Sequence, residues 1–357
     1  MTFDFAIIGG GIAGVSAASR LAQIGSVVVL EAEDALSFHA SGRSAATFEP
    51  DYGAPATVAL NRASHAELHA LGVLGPLGVM VLAGPGEEGA FDADCTAFSL
   101  HEISPAEARA RVPALDPDAI LRAAVSASAE DFDTDAFLQH HARNARAAGA
   151  RIMTRAPVTA MVRTGGRWQL TTSQGTVEAG HVVNAAGAWA DRVAEMAGVA
   201  PLGLQPFRRS MARIPAPAGM DVSDWPMLIG AGESWYAKRD AGALIVSPAD
   251  ADPVDPHDAF ADDMVLAEGL ARYEARVTTP VTRMLANWAG LRTYTPDRTL
   301  AIGPDRRVPS FLWLAGQGGQ GFQTAAAASR LLADRVAGRA PDLPADIVAA
   351  LDPGRFA

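Results

Sequence analysis

The fold is decided by residues 7–33, IIGGGIAGVSAASRLAQIGSVVVLEAE. A short apolar run ends in three successive glycines, and residues 12–24 then have the small and apolar side chains of a closely packed helix. A second apolar run, residues 27–30, ends in the acid Glu31. This order predicts a strand, a glycine turn, a helix and a second strand.

The glycines of this stretch have the spacing G-x-G-x-x-G. Gly9 permits the tight turn, Gly11 lets a pyrophosphate approach the backbone, and Gly14 lets the helix pack on the strand. The free N–H groups at the helix start attract phosphate. Glu31, about twenty residues beyond Gly11, is placed to accept both ribose hydroxyls of an adenosine. An ordinary glycine-rich turn is the competing interpretation, but the full context predicts a dinucleotide-binding unit.

The composition excludes several classes of protein. The chain has 357 residues, of which 49% are hydrophobic, so it can form a large core in one or two domains. A net charge of -11 argues against a nucleic-acid or anionic-membrane partner. No apolar run is long enough for a membrane span and no charged leader precedes the first strand, so we expect a soluble, cytoplasmic protein. Cys95 is the only cysteine, which excludes an internal disulfide, and no metal site is predicted.

Three further segments favour a flavin over a nicotinamide. Residues 39–53, HASGRSAATFEPDYG, form a small-residue loop whose one arginine could wrap a pyrophosphate and the edge of a flat ring. Residues 181–190, HVVNAAGAWA, are a strand that ends in Ala-Ala-Gly. Residues 311–332 are a strand, a glycine loop and a helix whose N-terminus could stabilise negative charge on a flavin. Each could be a plain turn, but three of them suit one long, extended cofactor.

Motifs along the whole chain occur in the order found in flavin-dependent D-amino acid dehydrogenases. They are the glycine fingerprint, SGRSAA, VVNAAGAWA, PLGLQPFRRS, DWPML, ESWYAKRDAG, SPADADP, NWAGLR and GQGGQGFQT. The chain therefore resembles the FAD-dependent D-amino acid dehydrogenase and oxidase family, and within it D-arginine dehydrogenase most closely. The resemblance implies FAD and hydride transfer from a carbon–nitrogen bond to flavin N5. The imine product then hydrolyses to a 2-oxo acid and ammonia.

The resemblance also implies the fold. We expect an α/β protein with an FAD-binding Rossmann-like domain of the D-amino acid oxidase and glutathione reductase type. A second, discontinuous α+β domain, built on an antiparallel sheet, would bind the substrate. The FAD-binding domain would comprise residues 1–47, 131–204 and 289–357, and the substrate domain residues 48–130 and 205–288. The patterns add a helix over 134–150 and a meander of strands that begins with 151–162.

The residues expected to hold FAD stand mostly in the turns at strand ends and helix starts. They are Gly9, Gly11, Ile12, Ala13, Gly14, Glu31, Ala32, Ser41, Gly42, Arg43, Ser44, Ala45, Ala46, Val158, Ala186, Gly187, Trp189, Gly318, Gly319, Gln320, Gly321, Gln323 and Thr324.

Four residues match the family's substrate contacts. Arg292 matches the carboxylate anchor, a task suited to a planar and permanently charged guanidinium. Arg209 matches a second contact, although Arg208 is its neighbour and a strand turns only one of the two inward. Tyr52 and Tyr236 match tyrosines that line the substrate pocket. A surface salt bridge for the arginines and ordinary half-burial for the tyrosines are the competing interpretations.

The chain departs from the family at positions that bear on the substrate. Thr47 stands where the family has histidine, and Gln320 where the close relative has tyrosine. Val79 occupies the position of the glutamate that holds the guanidinium of D-arginine in D-arginine dehydrogenase. Because valine cannot make that hydrogen bond, we expect neutral or apolar D-amino acids to be preferred over cationic ones. His39 stands where some sarcosine-type relatives attach FAD covalently, but the close dehydrogenases carry it without a bond. Noncovalent FAD is therefore expected.

The electron acceptor is expected to be a quinone or another artificial or membrane acceptor. Lys238, the only lysine, stands at a place where oxidases use lysine to activate oxygen, but the most similar dehydrogenase also has a lysine there. Several alternatives stay open: a sarcosine, N-methyl amino acid or glycine oxidase, a 2-hydroxy acid dehydrogenase, or a nonenzymatic FAD-binding protein. A pyridine-nucleotide disulfide reductase is disfavoured because there is no second glycine fingerprint and no cysteine pair.

Overall fold

The computed structural model describes residues 1–356. Its strands are β1 (Thr2–Ile8), β2 (Val27–Leu30), β3 (Thr47–Phe48), β4 (Leu74–Pro76), β5 (Val79–Ala83), β6 (His101–Ile103), β7 (Arg122–Ser126), β8 (Glu130–Phe132), β9 (Arg151–Met153), β10 (Val158–Thr164), β11 (Arg167–Thr172), β12 (Gly175–Asn184), β13 (Gln205–Pro215), β14 (Met227–Gly230), β15 (Tyr236–Asp240), β16 (Ala243–Ser247), β17 (Asp252–Pro253), β18 (Ala286–Tyr294), β19 (Ala301–Pro304) and β20 (Phe311–Ala315). Its α-helices are α1 (Ile12–Leu21), α2 (Pro55–Ala70), α3 (Glu88–Ala97), α4 (Pro105–Arg111), α5 (Thr134–Ala147), α6 (Ala190–Met196), α7 (Asp263–Glu274), α8 (Gly321–Ala337) and α9 (Ala345–Ala350).

The βαβ unit predicted from residues 7–33 opens the first sheet, in which β1 pairs in parallel with both β2 and β12. The eight strands include β9 beside β2 and β20 beside β12. Strands such as β2 and β20 are buried along their whole length, as expected for parallel strands covered on both faces. Helices α1, α5 and α8 pack on one face. Side chains of the β10–β12 meander contribute to the core on the other face.

Three predicted element bounds need correction. Helix α5 ends at Ala147 rather than at residue 150, since Gly149 has a left-handed φ of 87°. Helix α1 ends at Leu21 rather than at residue 24, because the chain turns there and the N–H of Gly25 donates to the Leu21 carbonyl. The predicted strand over 151–162 is two strands: β9 pairs with β2, and β10 begins the antiparallel meander with β11 and β12. Between them Arg155 has a left-handed φ of 53° and Pro157 lacks an N–H, so the strand cannot continue.

The second sheet is mainly antiparallel and has nine strands, in the order β17-β13-β16-β15-β14-β5-β7-β6 with β18 also on β13. Its core contains Met80, Leu228, Trp235 and Val246. Strand β18 pairs with β13 over the whole length of β18, so the second sheet continues past the expected domain boundary at residue 289 as far as Tyr294.

A third, small sheet has the order β3-β8-β4. This sheet packs against helix α2, since Phe48 in β3 stacks on His65 of that helix. Within residues 1–356, no helix combines the length and the apolar character that crossing a membrane requires.

Candidate active site

A cavity of about 550 Å³ lies between the two large sheets. The glycine turn after β1, the end of β2, the loop before β3, the turn after β12 and the glycine loop after β20 all contribute to its lining. Strands β5, β13, β14, β15 and β18 line its other side. The size is typical of a site for a small molecule or cofactor. The structure therefore brings the predicted cofactor segments together with the predicted substrate residues.

The first glycine turn is packed so closely that side chains are excluded from it. Gly9 has a φ of 107°, and a Cβ on it would lie 2.5 Å from the Ala185 carbonyl oxygen. A Cβ on Gly14 would overlap the Gly9 carbonyl oxygen. A Cβ on Gly11 would lie 3.0 Å from Ser41 Oγ, which accepts a hydrogen bond from the next N–H along the chain. The turn thus leaves its backbone bare at the cavity wall, as a pyrophosphate requires.

Glu31 lies at the cavity wall beside this turn and is buried. Its Oε2 accepts a hydrogen bond from the Gly10 N–H at 2.5 Å, and its Oε1 accepts one from the Glu33 N–H at 2.8 Å. A buried carboxylate held by two N–H groups keeps its remaining lone pairs for a ribose. The bare turn and this carboxylate fit the ADP half of FAD.

Arg43 has a different environment from the one predicted. Its guanidinium lines the cavity but donates to the carbonyls of Ala259 and Ala289 at 2.7 and 3.0 Å, and pairs with Asp258 at 2.5 Å. These acceptors tie the loop of residues 40–43 to β18 and to residues 258–259. The Nη donors of Arg43 are therefore engaged by the protein, and a contact between Arg43 and FAD stays a prediction.

Four of the residues predicted to hold FAD do not line the cavity: Gly14, Gly42, Gln320 and Thr324. A Cβ on Gly42 would overlap the Ser37 carbonyl oxygen, so this glycine shapes the loop. Gln320 Nε2 donates to the Tyr52 carbonyl, and Thr324 Oγ1 donates to the Gln320 carbonyl at 2.9 Å. These residues shape or brace the segments around the cavity. All other residues named above for FAD line it.

Arg292, on β18, lines the cavity, and within residues 1–356 its side chain makes no hydrogen bond or ion pair. The glycine loop after β20 lies directly against it, because a Cβ on Gly319 would be 3.0 Å from Arg292 Nε. The absence of a side chain at this glycine therefore leaves the guanidinium accessible from the cavity.

The pKa of Arg292 is raised above its usual value by its neighbours. Burial acts in the opposite direction and is the largest single effect, but the acidic groups of Tyr236, Tyr294, Tyr52 and Glu233 together outweigh it. The side chain is therefore a permanent cation at the cavity wall.

Tyr236 and Arg209 are buried next to each other. The Tyr236 hydroxyl has no hydrogen-bond partner among the described residues, and the Arg209 guanidinium carbon lies 5.9 Å from the centre of the Tyr236 ring. Arg209 Nε donates to the Asp250 carbonyl at 2.7 Å. Arg208 instead pairs with the carboxylates of Asp250 and Asp252 at 3.4 and 2.7 Å. Of the two neighbouring arginines, only Arg209 lines the cavity.

Tyr52 contacts a carboxylate that sequence reasoning missed. Its hydroxyl donates to Glu233 Oε2 at 3.4 Å, and burial, followed by the charge of Glu233, raises the pKa of Tyr52 to about 12. Glu49 is a second carboxylate at the cavity, and burial raises its pKa. Val79 lines the cavity too. The cavity nevertheless contains two carboxylates, because Glu49 and Glu233 come from two other segments of the chain. Glu233 stands three positions before the predicted pocket residue Tyr236, and this closeness in sequence could have indicated that Glu233 lies at the cavity.

Lys238 does not line the cavity, although it is buried on the same strand as Tyr236. Its Nζ donates to the Ala46 carbonyl at 2.6 Å and pairs with Asp131 at 2.5 Å. Burial lowers the pKa of Lys238, while Asp131 opposes that shift. This lysine therefore holds the cavity-lining loop at Ala46.

Residues 4–335 match the family of FAD dependent oxidoreductases known as DAO. The chain belongs to this family and is an FAD-dependent oxidoreductase. The fold agrees: glycine oxidase from Geobacillus kaustophilus superimposes with a TM-score of 0.84 at 21% identity, over 99% of each chain.

Individual relatives match this chain either at low sequence identity or over a short segment. The mitochondrial dimethylglycine dehydrogenase of Homo sapiens is 25% identical over 98% of this chain and 44% of its own length. The chain therefore spans less than half of that relative. A D-amino acid dehydrogenase of Methylobacterium radiotolerans is 43% identical, but over 70 residues that make up 20% of this chain and 16% of the relative.

Proposed function

We propose that the protein oxidises the carbon–nitrogen bond of a small α-amino acid, favouring D-amino acids with neutral or apolar side chains. FAD, when bound, supplies the chemistry by accepting a hydride at N5. The observation that carries the proposal is the unpaired guanidinium of Arg292 beside the unpartnered hydroxyl of Tyr236. Arg292 is half-buried and has no protein partner among the described residues, so its charge and its N–H donors are available to an anionic ligand. A substrate carboxylate is such a ligand.

The protein's own contribution is to orient the substrate. Arg292 would bind the carboxylate with two parallel N–H donors, and the Tyr236 hydroxyl would donate a further hydrogen bond. Arg209 and Tyr52 would complete the ring of polar groups around the carboxylate. Fixing the substrate by this end positions the α-carbon in the cavity.

The cavity wall supports a preference for neutral or apolar side chains. It is lined by the apolar residues Val79, Val81, Phe98, Leu100, Met227 and Ile229. The two carboxylates are engaged by the protein: Glu233 accepts from Tyr52, and Glu49 accepts from the Ser128 hydroxyl at 2.6 Å. Each carboxylate nevertheless keeps lone pairs that a cationic group could use. D-arginine and D-lysine therefore belong in the substrate test.

His39 supports noncovalent binding of FAD. Its Nε2 pairs with Glu33 Oε1 at 2.9 Å, and its ring lies 4.6 Å from that of Trp189. The imidazole is thus held by neighbouring side chains. We further propose that the protein is a dehydrogenase that passes electrons to a quinone or another acceptor, because Lys238 is engaged with Asp131 outside the cavity lining. A cytoplasmic location is proposed with it.

An N-methylated glycine is the second candidate substrate. The dimethylglycine dehydrogenase relative matches 98% of this chain, and the same carboxylate anchor would serve dimethylglycine. A 2-hydroxy acid would also fit the anchor, since it carries the same carboxylate.

The test is the visible spectrum of the purified, FAD-loaded protein under anaerobic conditions before and after each candidate substrate. We expect D-Leu, D-Met and D-Phe to bleach the flavin faster than D-Arg and D-Lys, and faster than their L-enantiomers. Faster bleaching by sarcosine or dimethylglycine would select the second candidate. Failure of every amino acid and hydroxy acid to bleach the flavin would contradict both and favour a nonenzymatic FAD-binding protein.

A further inference from the structure

We propose that His65, His69 and Glu130 form a binding site for a divalent transition-metal ion such as Zn²⁺. The site lies outside the cofactor cavity, because none of the three residues lines that cavity. The proposal of this metal site does not depend on which substrate the cavity binds.

The three side chains converge on one point. His65 and His69 are one turn apart on the same face of α2, and Glu130 begins β8. His65 Nε2 lies 2.6 Å from Glu130 Oε1, and His69 Nε2 lies 3.0 Å from Glu130 Oε2. The two Nε2 atoms are 3.0 Å apart. Two imidazole nitrogens and a carboxylate thus direct their lone pairs into the same small space.

Distances in the cluster are close to those of a metal site. Zinc bonds of about 2.0–2.1 Å in tetrahedral geometry separate the ligand atoms by roughly 3.3–3.4 Å. The ligand atoms would need to move apart by only about 0.3–0.8 Å to admit the ion. Side-chain exposures of 39% for His65 and 50% for His69 allow both this adjustment and entry from solvent.

Phe48 makes the cluster more than a chance contact between surface side chains. It is fully buried, and its ring stacks on His65 at 5.2 Å with an angle of 15° between the planes. Its backbone pairs with that of Glu130 in the ladder between β3 and β8. One buried residue therefore positions two ligands from elements that are 65 residues apart in sequence.

The type of ligand selects the ion. Imidazole nitrogens suit Zn²⁺, Ni²⁺ and Cu²⁺, whereas Mg²⁺ and Ca²⁺ prefer sites made of oxygen atoms alone. Two histidines and one glutamate leave a fourth position for water. The bound ion would tie the C-terminal half of α2 to β8. The same helix carries Asn61, whose Nδ2 donates to the carbonyls of Glu49 and Tyr52 at the cavity.

The experiment uses the FAD-loaded, full-length protein, treated with EDTA, desalted, and titrated calorimetrically with ZnCl₂. MgCl₂ serves as the oxygen-preferring control. We expect one equivalent of Zn²⁺ per chain and a melting temperature that rises by several degrees with saturating Zn²⁺. His69→Ala should weaken binding by more than roughly 100-fold, since even loss of an outer partner of a metal ligand costs 10–100-fold. Alanine favours helix, so α2 should persist.

Two controls separate this site from other places where zinc might bind. His101→Ala removes an exposed histidine on β6, and Cys95→Ser removes the only thiol; neither should change binding. Glu130→Gln keeps the shape of the third ligand and should also weaken binding strongly. Flavin absorbance checks that each variant is folded. Equal zinc binding by the wild type, His69→Ala and Glu130→Gln, or no stoichiometric zinc on the wild type, would overturn the proposal.

Discussion

Replacing Arg292 with alanine should abolish most of the catalytic efficiency while leaving FAD in place. The guanidinium lines the cavity, has no protein partner among residues 1–356, and lies against the bare backbone of Gly319. Alanine would remove both N–H donors that we assign to the substrate carboxylate. FAD should remain bound, because its ADP half is assigned to the turn at Gly9–Gly11 and to Glu31, on the other sheet.

The size of the effect follows from the burial of the pair. Removing one partner of a buried charge pair costs about 3–5 kcal/mol, because the other charge is left desolvated and unpaired. Each 1.36 kcal/mol is a factor of ten in rate, so kcat/KM should fall by roughly two to three and a half orders of magnitude. Arg292→Lys should recover only part of this loss, since an ammonium group keeps the charge but lacks the two parallel donors.

The assay is steady-state turnover of the best substrate with an artificial acceptor, with FAD content measured from the flavin absorbance. Arg208→Ala is the matched control, because this neighbouring arginine pairs with Asp250 and Asp252 and does not line the cavity. It should change kcat/KM by less than about five-fold. Near-normal turnover by Arg292→Ala would refute the assignment and move the anchor to Arg209.

Three further predictions concern the cofactor, pH and oxygen. Gly11→Val should yield folded but colourless protein, because its side chain would meet Ser41 Oγ and the cofactor's pyrophosphate; a fully yellow variant would contradict this. His141 is buried without partners, and burial, assisted by Arg20 and His140, lowers its pKa to about 3. Below its ordinary pKa of 6.5 only the unfolded chain takes up the proton, so stability should fall by up to about 1.4 kcal/mol per pH unit between pH 6.5 and 3. His141→Leu should remove this slope in urea unfolding at pH 7.5 and 5.5, and an unchanged slope would assign it to other groups. Because Lys238 is paired with Asp131, stopped-flow mixing of the reduced enzyme with air-saturated buffer should show reoxidation slower than turnover; reoxidation as fast as turnover, with stoichiometric hydrogen peroxide, would make the protein an oxidase.

The sequence by itself determined the features that depend on local spacing. The βαβ unit is readable because its glycines have a fixed spacing between two apolar runs and Glu31 follows the second run. Only Gly14 is required by a local contact, with Gly9, whereas the contacts at Gly9 and Gly11 come from Ala185 and Ser41. The family and its cofactor follow from motifs spread over the chain, which the match over residues 4–335 confirms. The second, mainly antiparallel sheet was also expected, although its strand β18 extends across the expected boundary at residue 289.

Only the tertiary structure decided which side chains meet across long distances in sequence. Arg43 is engaged by residues 258–259 and 289, and Lys238 by Asp131, so neither is available for the role that its own motif suggests. Glu233 reaches Tyr52 because the turn between β14 and β15 and the loop before α2 line the same cavity. The histidine pair on α2 is visible as an i, i+4 pattern, but its third ligand is brought there by the pairing of β3 with β8. Spacing along a helix or strand is a local property, whereas these contacts depend on strand order and loop packing, which no short stretch of sequence encodes.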